Sequence, residues 1–205
     1  MRITRETAPD LIARATMALL FMVLSVTLLE DFVRTRHLTG LLLLVSEAMV
    51  VVFTVFRRRT DIVDRSAEAM VVTTISLLGP PLLRPSGGLA LLPDAMTALI
   101  SAVGLCVVIA GKFSLGRSFG LAPANRGVVE SGPYLLVRHP IYTGYLVMHL
   151  AFLAAYPRPL NLAIVVIADS ALVIRALLEE RVLGRDARYR SYCSRVGWHL
   201  VPRVF

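Results

Sequence analysis

The 205-residue chain has one lysine, Lys112, among its 22 basic residues, only two cysteines, and charged side chains at no more than 18% of positions. Each scarcity excludes something. Cys106 lies in a hydrophobic run and Cys193 in an arginine-rich tail, so neither a disulfide framework nor a metal site is suggested. Arginine carries almost all of the formal net charge of +8, yet the arginines lie between hydrophobic runs and form no single basic patch. That distribution speaks against nucleic acid as a partner and for topology signals and contacts with membrane lipid headgroups. A dinucleotide-binding loop is missing too, because Gly111-Lys112-Phe113-Ser114-Leu115-Gly116 lacks the required glycine spacing and follows no strand. The first apolar run continues for about a bilayer width with no small-residue cleavage site after it, so a cleavable signal is not expected.

What is abundant is apolar surface. Hydrophobic residues make up 56% of the chain, with a mean hydropathy of +0.70, against ~45–50% in an ordinary soluble composition. They are blocked into six runs, at about Leu11–Leu29, Leu38–Phe56, Ala67–Leu83, Ala95–Gly111, Ile141–Tyr156 and Leu160–Leu178. A spanning helix needs ~20 residues, with ~17 near the lower limit. The first, second and sixth runs are comfortable and the other three are short. Pro80 and Pro81 end the third run by removing backbone donors, and Pro157 and Pro159 turn the fifth back on the sixth. The expected fold class is an all-α integral membrane bundle of six spans, or five if a short run is re-entrant, with a cytoplasmic C-terminal helical cap. Residues 1–111 hold about four spans; residues 112–205 form a separate region of connection, helix hairpin and tail.

The basic residues orient this bundle. With the N-terminus inside, Arg2, Arg5, Arg14, Arg57, Arg58, Arg59, Arg65, Lys112, Arg117, Arg126, Arg138, Arg181, Arg185, Arg188, Arg190, Arg195 and Arg203 fall on the cytoplasmic side. Only Arg34, Arg36, Arg84 and Arg158 fall outside, and Arg175 lies within the last span. Such an excess places both termini in the cytoplasm. Arg57-Arg58-Arg59 reads first as a topology determinant, with recruitment of anionic lipid as the other reading. Two stretches escape explanation by lipid burial: the glycine- and charge-rich connection 112–140 and the charged, aromatic tail 175–205. This topology brings them together at the cytoplasmic face.

Arg175 and Glu179 are four residues apart and share a helix face, with Glu180 on an adjacent one. A snorkelling arginine with a helix ion pair explains that spacing. So does a polar pocket at headgroup level, in which glutamate takes a ligand's amine and arginine its carboxylate. In the connection, Gly132-Pro133 marks a turn and Pro140 suits the first turn of a helix, so His139 precedes a helix N-terminus whose backbone donors point outward. Tyr134, Tyr142 and Tyr145 taken singly are interfacial aromatics. Glu47 and Asp169 are charges within runs two and six, expected to pair with an arginine or a helix hydroxyl.

The ordered set Gly132-x-Tyr134, Arg138-His139-Pro140-x-Tyr142-x-Gly144, Glu179-Glu180-x-x-Leu183, Tyr189-x-x-Tyr192 and Val201-Pro202 resembles the isoprenylcysteine carboxyl methyltransferase family. That family is in turn similar to membrane phospholipid methyltransferases, and the likeness covers residues 112–205. The resemblance implies an S-adenosylmethionine-dependent methyltransferase, with Val129, Gly132, Tyr134, Arg138, His139, Pro140, Tyr142, Gly144, Glu179 and Glu180 on the methyl donor. It puts Arg175 and Tyr145 beside the acceptor and makes Arg175 and Glu179 the catalytic pair. The tail Tyr189, Tyr192 and Trp198 becomes a helix capping the donor. The ending Arg195-Val196-Gly197-Trp198-His199-Leu200-Val201-Pro202 departs from the family's compact Arg-Val-Pro, and the extra N-terminal spans of eukaryotic members are missing. The acceptor is therefore left as a lipophile, prenylated or lipid, bearing a carboxylate, thiol or amine; oligomeric state is not legible.

Methyl transfer from a sulfonium demands alignment and exclusion of water more than acid–base help. In that reading Arg175 orients the acceptor, Glu179 holds the donor's amine, and His139 positions the adenosyl group. Two other classes fit parts of the pattern. Membrane sterol and steroid reductases, which use a nicotinamide cofactor, carry a related Arg-His-x-x-Tyr-x-Gly pattern. A transporter or assembly factor would account for Glu47 and Asp169, although no internal repeat of the transporter kind is visible.

Overall fold

The computed structural model describes residues 8–56, 60, 62–85, 89–120 and 122–205. The described residues form seven α-helices in order: α1 (Ala8–Thr35), α2 (Leu38–Phe56), α3 (Ala67–Leu82), α4 (Asp94–Leu115), α5 (Pro140–Ala155), α6 (Pro159–Leu183) and α7 (Ala187–Arg195). Short 3₁₀ turns at Gly116–Ser118 and Gly132–Leu135 punctuate the connection between α4 and α5. Among the described residues there is no strand beyond an isolated bridge between Val63 and Ala124, which ties the α2–α3 loop to that connection. Arg2, Arg5 and Arg57-Arg58-Arg59 lie outside the described residues.

Helix ends follow local chemistry. Ser66 caps α3, its hydroxyl accepting from the Ala69 N–H at 3.2 Å. Pro140 and Pro159 each open a helix, where a missing N–H costs nothing. Pro80 and Pro81 do not stop α3 at once. The helix runs through both and ends at Leu82, so the donors that the two prolines lack fall in its last turn. A larger departure concerns Lys112. It lies not in a cytoplasmic loop but in the last turn of α4, fully buried, its Nζ donating to the Ser46 carbonyl at 3.1 Å. The helix continues past Gly111 because Ser46 and the rings of Tyr145 and Phe119, 5.3 and 5.9 Å from Nζ, take up the ammonium.

The tightest packing joins α4 to α5 and α3 to α6. At the first crossing a Cβ on Gly104 would fall 2.8 Å from the Gly144 carbonyl oxygen, and one on Gly144 would fall 2.7 Å from that of Gly104. Two bare backbones in contact are the standard way for helices to approach closely where lipid supplies no hydrophobic drive. At the second, a Cβ on Gly79 would strike that of Ala168 at 2.3 Å. Phe152, Met148, Val108 and Leu24 fill the core between α1, α4 and α5. Facing outward are Met70, Val71, Leu99, Val103, Leu150, Val166 and Ile167, all exposed. A belt of apolar side chains around an apolar core suits lipid as solvent. Among the described residues, two helical stretches, Asp94–Ser118 and Pro159–Leu183, are long and apolar enough to cross a bilayer; Leu38–Val50, Ala67–Leu82 and Pro140–Ala155 are apolar but shorter.

Candidate active site

The connection 116–139, the N-terminal end of α5, the C-terminal end of α6 and the tail converge on one cluster of ionisable groups. Glu180 is its hub. One carboxylate oxygen accepts from Arg138 NH1 at 2.8 Å; the other meets His139 Nε2 at 3.0 Å and His199 Nδ1 at 2.6 Å. Arg138 also donates to the Val196 and Cys193 carbonyls at 2.8 and 3.2 Å. The tail is stitched in by backbone as well, since the N–H groups of Arg138 and His139 donate to the carbonyls of Trp198 and His199, each at 2.9 Å. Glu180 and Arg138 therefore hold the Arg-His-Pro segment against α6 and the tail.

Glu179 is differently placed. The Tyr142 hydroxyl donates to its Oε1 at 2.5 Å, and Arg175 Nε lies 3.4 Å from that same oxygen. Oε2 faces His139 Nδ1 at 3.8 Å, beyond hydrogen-bonding distance. His139 and Tyr142 stack at 5.4 Å with rings 6° from parallel, which fixes both orientations. Arg175, 4% exposed, lies over the Tyr142 ring at 5.2 Å and donates to the Gly120 carbonyl at 3.3 Å. The helix-face pairing of Arg175 with Glu179 is thus present, in a pocket and not as a snorkelling side chain.

Two cavities meet here. The outer one is bordered by the connection from Leu115 to Val129, by Tyr134, Arg138, His139, Tyr142 and Glu179, and by Tyr189 and Tyr192 of α7. The inner one lies between the helices, against Glu47, Ser76, Tyr145, His149, Asp169 and Arg175. Phe119, Ile141 and Tyr142 line both and form the partition. Of the residues expected on a methyl donor, Val129, Tyr134, Arg138, His139, Tyr142 and Glu179 border the outer cavity. Gly132, Pro140, Gly144 and Glu180 do not. Gly132 makes the turn with φ +61°, seated on Ser114; Pro140 starts α5; Gly144 faces α4; Glu180 is occupied as described. Arg175 and Tyr145, expected beside the acceptor, line the inner cavity together.

Burial, and after it the charge of Glu179, pushes the Tyr134 phenol well up, so it stays protonated. The Tyr192 hydroxyl donates to the Tyr134 carbonyl at 2.7 Å, docking α7 beneath the 3₁₀ turn. Several contributors had no motif to reveal them. Arg126, 9% exposed, borders the outer cavity where the sequence suggested only a topology charge. His199 joins Glu180 from the far end of the tail, and Asp169 pairs with His149 at 2.6 Å, not with an arginine or a hydroxyl. Helical periodicity on α5 and α6 does not signal the His149–Asp169 pair, because nearly every face is apolar, and Arg126 and His199 lie outside both helices.

Residues 95–186 match the phospholipid methyltransferase family model. This is the family of membrane methyltransferases related to the isoprenylcysteine carboxyl methyltransferases. The phospholipid methyltransferase match runs from the first turn of α4 to the cap of α7, so it takes in the whole partition and both faces of the Arg175–Glu179 pair. Tyr189, Tyr192 and His199 fall beyond it, as do α1, α2 and α3. No curated protein sequence matches the chain.

Proposed function

We propose that the protein is an S-adenosylmethionine-dependent methyltransferase that takes its donor in the outer cavity and a lipophilic acceptor in the inner one. The observation that carries this reading is the partition. Tyr142 borders both cavities, and its hydroxyl is bonded to the one carboxylate, Glu179, that also faces Arg175. Transfer of a methyl group needs two binding sites that meet at one point, with water kept away from it.

The residues present suit a donor bearing an amine, a carboxylate and an adenosyl ring. Glu179 has one oxygen engaged and Oε2 still able to accept from an ammonium. Tyr134, His139, Tyr189 and Tyr192 supply ring surface, and Arg138 and Arg126 supply positive charge along the same wall. When bound, the donor supplies an electrophilic methyl carbon. The chain's own residues do the rest: Glu179 anchors, the stacked His139–Tyr142 pair sets the angle, and Arg175 orients the acceptor's polar group from the other side. Glu180 acts at one remove, as a positioning residue that fixes His139. In a bilayer the arginine distribution supports a site facing the cytoplasm, with both termini on that side and five or six crossings.

The decisive measurement is thermal stability in detergent. S-adenosylhomocysteine should stabilise the protein and NADPH should not; the reverse would favour a nicotinamide-dependent reductase. Glu179→Ala should abolish binding of labelled donor while the protein stays monodisperse. Unchanged binding would remove Glu179 from the donor site.

A further inference from the structure

The inner cavity contains a feature the methyl-transfer reading does not use. His149, on α5 and 4% exposed, meets Asp169 of α6 through Nδ1 at 2.6 Å. Among the described residues its other ring nitrogen, Nε2, is buried with no hydrogen-bond partner. A carboxylate only accepts, so Nδ1 carries the proton, and in the neutral ring Nε2 is then a bare acceptor. Leaving such a group buried and unmatched is costly, and native proteins rarely do it without a use.

The surroundings say what would match it. Glu47 from α2, Lys112 from α4, Tyr145 from α5, and Asp169 and Arg175 from α6 are the ionisable groups around this ring. Most of these groups already have a partner. Lys112 lies within electrostatic reach of Glu47, Arg175 lies against Glu179, and Asp169 lies on His149 itself. What is left over is one lone pair among apolar walls of Val50, Leu77 and Leu172. A charged ligand group would be costly to bury against those walls, whereas a neutral O–H or N–H matches the lone pair.

Depth decides the role. His149 is seven residues beyond Tyr142 on the same helix, about 10 Å along its axis, so a ligand group bound to it would lie remote from the Tyr142 end. We propose that the His149–Asp169 pair is the floor of the acceptor pocket, where Nε2 takes a hydrogen bond from an uncharged hydroxyl or N–H group of a lipophile inserted between the helices. The inference rests on the assignment of the inner cavity to the acceptor. It narrows the acceptor to a molecule with a neutral donor group about two helical turns inward from its reacting atom. His149 is then a specificity-determining residue, and the methyl group is delivered at the Tyr142 end.

The test uses the full-length protein in detergent with ¹⁵N-labelled histidine, and two matched probes, 4-nonylphenol and nonylbenzene. His149→Phe keeps the ring volume, removes the acceptor, and assigns the His149 resonance by its loss. The phenol should move the His149 Nε2 resonance and bind wild type at least tenfold more tightly than H149F. Nonylbenzene should do neither. A resonance that ignores the phenol, or equal binding of the phenol by both proteins, overturns the assignment. If H149F does not fold, the wild-type resonance still decides. Stabilisation by S-adenosylhomocysteine, measured alongside, should be the same in both proteins. Its loss from both would sink the methyltransferase reading, while the response of Nε2 to the phenol is read separately.

Discussion

Replacing Glu180 by glutamine separates a residue that holds the site together from Glu179, the residue proposed to bind the donor. The carboxylate receives Arg138 at 2.8 Å, His139 at 3.0 Å and His199 at 2.6 Å, with its side chain 14% exposed. Hydrogen bonds to a charged group contribute about 1.5–3 kcal/mol each, and they are not additive when they share one acceptor. An amide keeps the shape but loses the charge, and presents N–H groups to partners that also donate. A loss of about 2–4 kcal/mol is expected, short of the ~3–5 kcal/mol seen when a fully buried pair is broken. For a chain of this length that corresponds to roughly 5–15 °C in melting temperature. Thermal unfolding in detergent reads the first quantity. Titration with S-adenosylhomocysteine, well below the melting point, reads the second. E180Q should melt early yet bind the donor product within a fewfold of wild type, whereas Glu179→Gln should melt near wild type and bind far more weakly. If E180Q keeps its melting temperature but loses tenfold or more in affinity, Glu180 contacts the donor directly and the positioning role is wrong.

Arg175→Ala should leave donor affinity largely intact and cut turnover, measured as transfer of labelled methyl into membrane lipids; a collapse in donor affinity would instead place the arginine on the donor. Gly144→Leu should destabilise by about 1–3 kcal/mol or more through overpacking, since even a Cβ there meets Val108 Cγ2 at 2.6 Å. A melting temperature unchanged in that variant would mean α4 and α5 do not cross as described. Acid should loosen the tail. Hydrogen bonds from the Arg188 backbone and from Asn125 hold the Asp186 carboxyl below its usual range, and Arg188 and Arg195 do the same for Glu130. Depressed carboxylates contribute stability that is present above the unfolded value of about 4 and is lost as pH falls through the lower folded values. Trp198 fluorescence should therefore report loosening of α7 below about pH 4, and a signal unchanged down to about pH 3 would refute the role of these carboxylates.

The helices were legible because the apolar runs are long and their ends are written in proline, serine and charge. The runs at Leu38–Phe56 and Ala67–Leu83 differ from α2 and α3 by at most a residue. The shared helix face of Arg175 and Glu179 was legible from their spacing, and the convergence of connection and tail from the distribution of the arginines. Partner choice inside the bundle was not. Lys112 follows a run of small and apolar residues and reads as the first loop charge. Only the arrival of Ser46 and Tyr145 from two other helices makes its burial tolerable. The division of labour between neighbours Glu179 and Glu180 was hidden for a related reason. The two lie about 100° apart around α6, and which of them meets the tail depends on where residues 196–199 return, a long-range matter with no local signature.

That return explains why two acids stand side by side. A single glutamate could not both fix His139 and leave an oxygen for an incoming amine, because three donors already crowd Glu180. Splitting the tasks lets one carboxylate be spent on structure while the other stays half-engaged at the partition. Tyr142 then links them: its ring lies on His139, which Glu180 holds, and its hydroxyl reaches Glu179. Removing only that hydroxyl, as Tyr142→Phe, keeps the stack and leaves Glu179 Oε1 with Arg175 alone. On this argument Y142F should melt within a few degrees of wild type yet lose turnover more than donor affinity, since what it disturbs is the alignment across the wall between the two cavities. Equal losses in both would mean that the hydroxyl serves donor binding alone, and that the partition does not coordinate the two substrates.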